Sequence, residues 1–513
     1  MGEPAGEAAA AAEVVHGVRV AGVRDVRCAE HDALVVLLAP GAPLPQALED
    51  FIRAAQDLDA ALEKNSAVLS CSRVSGGRLV LSPTGPLTEY DDVRSMYEAA
   101  RDGVRRAAAA GARRPALALL PHPRWPRAQL VALLGALEAL YVPLQIRESF
   151  PEQAHALAAL GVYAEGGAAP LAALLREAAA LEVARGLARD MGGADPERMS
   201  PRACAALLRG AFAGGPVRVR VLDDPRALQA QYPLLAAVSR AADSVDRHKG
   251  CVIFLEYEPE SYDQTVMLVG KGVTYDTGGC DIKAGGAMAG MSRDKCGAAA
   301  VAGFLKACEL LRPRLRVLAA LGVVRNSVGE EAYVADELLR SRRGDSVRVG
   351  NTDAEGRLVM ADLLAEMHER ARGLPGAHIY SVATLTGHAH RAYGDGYTAA
   401  LDNHAARGHA QRLQAAGEQL GDMIEVSTIR REDLAAHRGR GDERLHQADP
   451  RPSTATPRGH QAPAAFLLLA AGLHAGAARY THLDVAASAG DLPRAPTAAP
   501  LLALAAHYKL LSV

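Results

Sequence analysis

The sequence predicts an α/β protein in two parts: an N-terminal α/β sandwich and a larger C-terminal domain whose mixed, mostly parallel sheet is flanked by helices. Three observations carry this. Residues 17 to about 180 alternate short apolar runs with segments whose apolar residues recur at three and four, the signature of strands and amphipathic helices in turn. From Val217 the apolar runs become continuous, as in parallel strands covered by helices on both faces. Between the two regions, Gly192-Gly193-Ala194-Asp195-Pro196 interrupts two helical patterns, and Ser200-Pro201 supplies an N-cap with proline at the first helical position. The expected organisation is a flexible tail over 1–16, an N-terminal domain over 17–183, a linker over 184–200 and a second domain over 201–513.

Taken in order, the expected strands of the first domain are Ala33–Leu38, Ala67–Ser70, Leu79–Leu81, Ala116–Leu120 and Tyr141–Gln145. Its expected helices are Pro45–Glu63, Val93–Ala110, Arg127–Leu140 and Pro170–Ala188. Ser75-Gly76-Gly77 is expected to be a hairpin turn rather than a phosphate cradle. In the second domain the strands are Val217–Val221, Cys251–Glu256, Val266–Val269, Leu315–Val324, His378–Leu385 and Tyr480–Val485, separated by helices such as Lys295–Leu311 and Leu358–Arg372. In open parallel sheets, sites form where strands end at their carboxyl edge.

Composition narrows the function classes. The net charge of -2 and 23% charged residues leave no basic excess for nucleic acid. Seven scattered cysteines without a CxxC pair predict reduced thiols in a cytosol-like, cytoplasmic compartment. The first residues lack a basic n-region and carry Glu3, Glu7 and Glu13, unlike a signal or transit peptide. No run of about 18 apolar residues marks a membrane span.

The chemistry concentrates in two stretches. Val269–Lys295 reads VGKGVTYDTGGCDIKAGGAMAGMSRDK; a strand is expected to empty at Gly270 into a glycine-rich loop carrying Lys271, Asp276, Lys283 and Asp294. Asn351–Leu358 reads NTDAEGRL, and Asp353 and Glu355, two apart, share one face if the segment is extended. Asp276, Asp294, Asp353 and Glu355 bring about four negative charges, which two divalent cations would neutralise and which would otherwise repel. Lys271 can ligate only when deprotonated, a state that desolvation beside cations favours. Each residue alone also has a bland reading: Asp276 as a turn former, Asp294 as a helix start, Asp353 and Glu355 as a solvated loop. The combination is what points to metal. Cys280 and Cys296 are expected to be small buried cysteines, and His388, His390, His460 and His482 structural or solvent-facing.

VGKGVTYDTGG with Lys283 and Asp294, then NTDAEGRL, then ATLTG (Ala383 to Gly387) and more weakly THLDVA (Thr481 to Ala486), are similar to the signature blocks of the leucyl aminopeptidase family, in its order and approximate spacing. GGCDIK and RGHQAPAAF resemble a divergent eukaryotic branch of that family. The resemblance implies a macro-domain-like N-terminal sandwich and a two-metal aminopeptidase acting on peptides with a free N-terminus. It assigns Asp276 and Glu355 as bridging ligands, Lys271 and Asp294 as completing one metal, and Asp353 the other. Lys283 resembles the lysine that polarises the scissile carbonyl, and Arg357 the arginine that holds a bicarbonate general base. Met291, Thr384, Leu385 and Gly387 resemble residues lining the substrate region. Zinc is the metal implied; oxygen-rich ligation also admits manganese, magnesium or cobalt. A homohexamer is implied, with a polar loop at Arg438–Gln461 expected to shape access. Two alternatives are a structural or packaging hexamer with dispensable chemistry and a nucleic-acid-binding regulator.

Overall fold

A computed structural model describes residues 11–165 and 168–512. Residues 12–164 build a seven-stranded sheet from β1 (Ala12–Val15), β2 (Val18–Val23), β3 (Ala33–Leu38), β4 (Ala67–Ser70), β5 (Arg78–Pro83), β6 (Pro115–Leu119) and β7 (Ala159–Ala164), in the order β1-β2-β7-β6-β3-β5-β4. The inner pairings are parallel and the two edge pairings antiparallel. All of β3 is buried because both its faces are covered. Val35 and Leu37 enter one core with α2 (Arg94–Ala109) and α3 (Ala128–Glu138), whereas Leu34, Val36 and Leu38 pack with Ile52 of α1 (Glu49–Leu58).

Several expectations are corrected here. Residues 12–15, placed in the tail, are strand β1; residues 1–10 of that tail lie outside the described residues. Tyr141–Gln145 is not a strand. Pro143, which has no N–H for a ladder, precedes the short helix α4 (Leu144–Ser149) instead. Strand β7, ALGVYA, was masked by alanine and glycine, whose β-propensity is poor. The Ser75–Gly77 turn does join the antiparallel pair β4 and β5.

The expected linker is in part a helix: α5 runs unbroken over Ala168–Gly193. It is wedged between the two halves, and a Cβ at Gly192 would lie 2.9 Å from Cys296 Sγ, so glycine there serves close packing rather than a break. One apolar core spans both halves across this helix. Beside it, fully buried Glu182 pairs with Arg185 and Arg189, which also donate to the carbonyls of Thr497 and Pro496.

The second sheet has eight strands: β8 (Arg218–Leu222), β9 (Cys251–Tyr257), β10 (Thr265–Asp276), β11 (Arg316–Asn326), β14 (His378–Ala383), β15 (Tyr397–Asp402), β16 (Met423–Thr428) and β18 (Arg479–Asp484). A small three-stranded sheet is formed by β12 (Leu338–Arg340), β13 (Ser346–Arg348) and β17 (Leu445–His446). The large sheet runs β16-β15-β18-β14-β10-β11-β9-β8, and its centre, β18-β14-β10-β11, is parallel. β9 and β15 join antiparallel, so the sheet is mixed. The helices are α6 (Pro201–Ala211), α7 (Pro225–Gln231), α8 (Pro233–Ser239), α9 (Cys296–Leu311), α10 (Glu355–Arg370), α11 (Gly387–Tyr393), α12 (His409–Glu418), α13 (Arg431–Ala436), α14 (Gln461–Ala470) and α15 (Leu501–His507). Val266 and Leu268 face α9, while Met267 and Val269 face α10.

Strand β10 does not end at Gly270 but continues through Lys271 to Asp276. Its glycines make room rather than a turn: a Cβ on Gly270 would stand 2.7 Å from Ala298 Cα of α9, and one on Gly272 2.8 Å from the Gly322 carbonyl of β11. Lys271 is thereby held rigidly, level with the end of β14. Among the described residues, no helix is long and apolar enough to cross a membrane.

Candidate metal centre

The carboxyl ends of β10, β11 and β14 and the amino ends of α9 and α10 converge on one cavity of about 870 Å³. Asp276 closes β10, Asp294 precedes α9, and Glu355 opens α10, where its charge suits the positive end of the helix dipole. One carboxylate oxygen from each of Asp276, Asp353 and Glu355 lies within 4.8 Å of the others. Asp294 joins them through Lys271, whose Nζ is 2.7 Å from Asp294 Oδ1, 2.7 Å from Glu355 Oε1 and donates to the Thr384 carbonyl at 2.8 Å. Lys283 Nζ stands 3.0 Å from Asp276 Oδ2 and also contacts Asp353 Oδ1.

Asp353 and Glu355 meet for a different reason from the one the spacing suggested. The segment is not extended; Asn351–Ala354 turns, and Glu355 is already helical. The turn is braced from within, where Asn351 Oδ1 accepts from Asp353 N at 2.8 Å. It is braced from outside by fully buried Gln447, whose side chain accepts from the Gly350 and Asn351 amides and donates to the Asn351 and Ala354 carbonyls at 2.8 to 3.0 Å. Gly356 admits Lys271: a Cβ there would sit 2.6 Å from Lys271 Cε and 2.8 Å from Nζ.

The electrostatics are those of a cage short of positive charge. Burial, then repulsion from Asp276 and Glu355, pushes the Asp353 carboxyl up to about 7 against the pull of Lys283. Burial likewise raises Asp294 well above the usual carboxylate range, with Glu355 and Asp276 adding to it. Burial alone would lower Lys271, but Asp294, Glu355 and Asp276 outweigh it and hold the ammonium protonated. The deprotonated Lys271 expected from the sequence therefore belongs to a state in which cations offset those carboxylates. Asp294 Oδ2 is buried with no hydrogen-bond partner among the described residues, and buried Asp353 Oδ1 and Glu355 Oε1 meet only the ammonium groups of Lys283 and Lys271. Four convergent carboxylates with two ammonium groups between them, and one buried oxygen left over, are the donor set a hard divalent cation takes, so the residues present fit metal.

The other predicted residues fall as follows. Met291, Thr384, Leu385 and Gly387 line the cavity, and Thr384 Oγ1 donates to Asp294 Oδ1 at 2.8 Å. Arg357 is buried one turn into α10, its Nη1 donating to the Gln447 carbonyl at 3.0 Å and its Nε unpartnered; burial lowers its pKa to about 10. Cys296 is buried, but Cys280 is exposed on the turn after Gly279, which corrects its expected burial. His460 is buried against His388 and Ser427, His482 against Ser381, and partly exposed His390 pairs with Asp395; none of the four joins the acidic cluster. The Arg438–Gln461 loop is only partly a surface loop, because it contains β17 and Gln447 and its Pro450–Thr454 stretch walls the cavity.

Three supporting residues escaped the sequence. Asn326, at the carboxyl end of β11, donates to Asp276 Oδ1 at 2.7 Å and to the Thr352 carbonyl at 3.1 Å; its place beside β10 at the strand edge was the available signal. Asp484 at the end of β18 accepts from Leu385 N at 3.1 Å and Thr386 Oγ1 at 2.7 Å, fixing the ATLTG turn. Gln447 had no signal at all.

Residues 186–504 match the model of the cytosol aminopeptidase family, catalytic domain. A "Putative aminopeptidase" of Caenorhabditis elegans is 43% identical over 451 residues, 86% of each chain. A "Probable cytosol aminopeptidase" of Leifsonia xyli subsp. xyli is 36% identical over 331 residues, 63% of each chain. Among solved structures, the bottromycin maturation enzyme BotP in complex with Mn is similar with a TM-score of 0.76 over 93% of this chain and 99% of that one; at 24% identity the likeness speaks for the fold.

Proposed function

The chain belongs to the cytosol aminopeptidase family, and from that premise we propose that it is a metallo-aminopeptidase of the leucyl aminopeptidase type, removing N-terminal residues from peptides in the cytoplasm. The observation that carries the reading is the convergence of Asp276, Asp353 and Glu355 with Asp294 and Lys271, held together by two ammonium groups, with Asp294 Oδ2 buried and without a partner among the described residues. Asp276 and Glu355 would be shared between two ions, Lys271 and Asp294 would complete one, and Asp353 the other, with zinc or manganese the natural occupants. When bound, such a pair supplies Lewis acidity that lowers the pKa of water and polarises a carbonyl.

The chain's own groups do the rest. Lys283, kept protonated by Asp276, Glu355 and Asp353 despite its burial, places a fixed positive charge where the carbonyl oxygen becomes negative. Arg357, buried, charged and with Nε free of protein partners, would hold a bicarbonate that acts as general base. Asn326, Gln447 and Thr384 keep the carboxylates aimed by hydrogen bonds. The cavity, within the size range of small-molecule sites, takes a short peptide end. We further propose a homohexamer.

A panel of fluorogenic aminoacyl substrates, assayed with chelator and after restoring zinc or manganese, tests the reading. Turnover should vanish on chelation, return with metal, and be absent from Glu355→Ala. Chelator-insensitive turnover would overturn it.

A further inference from the structure

At the opposite, amino edge of the same parallel strands lies a second cavity of about 320 Å³, lined by His378, His409, Arg412, Arg479 and His507 with Gln264, Gly376 and Tyr508. His378 opens β14 and Arg479 opens β18, so this cavity and the metal cage sit at the two ends of β14, roughly 20 Å apart at about 3.3 Å per residue. The three imidazoles lie in contact: the ring centroids of His378 and His409 are 3.9 Å apart with the planes tilted by 33°, and those of His409 and His507 are 4.7 Å apart, edge to face at 76°. Two of them spend one nitrogen on a side-chain hydroxyl, and His507 is drawn to the Arg412 backbone carbonyl. His378 Nε2 bonds Thr481 Oγ1 at 2.9 Å, and His409 Nε2 bonds the Tyr380 hydroxyl, which is 2.6 Å from that of Tyr508. Among the described residues, Nδ1 of His378 and of His409 has no hydrogen-bond partner.

The charges are one-sided. Among the described residues, Arg479 donates to the carbonyls of Gly376 and Ala377 alone, and neither Arg412 nor Arg479 forms an ion pair with a carboxylate. The nearby acid, Asp402, already accepts from Thr481 Oγ1 and from the amides of His409 and Ala410. Burial, then the neighbouring imidazoles and both arginines, holds His378 far below the usual imidazole range; burial, His507 and the same arginines hold His409 at about 3. The rings are therefore neutral donors or acceptors in a positive field. A cation is repelled there, and an apolar ligand would leave the guanidinium groups unpaired. An oxyanion answers both, since guanidinium forks and imidazole N–H groups match its oxygens.

We propose that this cavity is a second ligand site that binds a phosphate group, carried free or as a small phosphomonoester. Arg412 and Arg479 would supply the charge, and the imidazoles the directed N–H groups.

The test is calorimetric titration of the full chain with inorganic phosphate and, separately, with glycerol phosphate, at fixed ionic strength. Saturable binding is expected, weakened about tenfold by Arg412→Gln or Arg479→Gln and abolished in the double variant. Both arginines are exposed, so these variants should fold; His507→Gln, at a half-buried position, is expected to weaken binding as well. Tighter binding of glycerol phosphate would identify an esterified ligand, and tighter binding of inorganic phosphate a free one; either supports the site. Absence of saturable binding, binding unaltered in the double variant, or binding lost in Arg357→Gln instead would overturn it.

Discussion

Replacing Lys283 by alanine separates the proposed catalytic role of this residue from a merely structural one. Its Nζ lies 3.0 Å from Asp276 Oδ2, and its side chain is 14% exposed, so its charge is poorly screened. A unit charge at that distance interacts by about 5 kcal/mol at an effective dielectric of about 20. A carbonyl oxygen that acquires only part of a charge would draw about 3 to 4 kcal/mol of this, or a factor of about 10² to 10³ in turnover. The same ammonium competes with cations for Asp276 and Asp353, so its removal should also strengthen metal retention. The expected outcome is a fall in kcat of about 10² to 10³ with KM changed little and metal half-saturation at lower concentration. Steady-state assays on an aminoacyl fluorogenic substrate at saturating metal, with a metal titration of each protein, measure all three. A kcat within about threefold of wild type, or a loss repaired by adding metal, would refute the argument.

Gly356→Ala should raise the intrinsic helix propensity of α10 yet cost most of the activity, because the new methyl would lie 2.6 Å from Lys271 Cε and that lysine is pinned at three points. An unchanged melting temperature with activity lost is the expected pair of readings. Gln447→Ala strands two amides and two carbonyls, and should lower stability by about 3 kcal/mol in a denaturant titration and raise the metal half-saturation at least about tenfold. The raised Asp353 carboxyl predicts a pH dependence of the metal increment. The metal-free fold holds a proton that the unfolded chain releases near 3.8, so this group's contribution is present below about 4 and lost as pH rises to about 7. Bound metal takes the place of that proton, so the melting-temperature gain on adding manganese should be larger at pH 7.5 than at pH 5; a gain independent of pH would contradict it.

Side-chain chemistry and local spacing are properties of the chain itself, and what depends on them was legible before folding. The runs ALVVLL and VMLV are buried because their apolar residues leave no polar face, and β3 and β10 form there. Lys271, Asp276, Lys283, Asp294, Asp353 and Glu355 drew attention because so many charged groups amid glycine and apolar residues need a reason. Their reach was misjudged where glycine was taken for a turn signal: at Gly270 and Gly192 the missing side chain serves a neighbour distant in sequence.

By itself, then, the sequence determined the α/β class, the apolar strands and the residue types that could cage a cation. Only the tertiary structure decided that Asn326 and Gln447 hold the cage, that Asp484 fixes the turn after β14, and that Arg412 and Arg479 share a cavity with three imidazoles. Apolar burial repeats with the period of its element and so leaves a trace along the chain. A buried hydrogen bond across a hundred residues has no period, and nothing in either partner's neighbourhood announces the other.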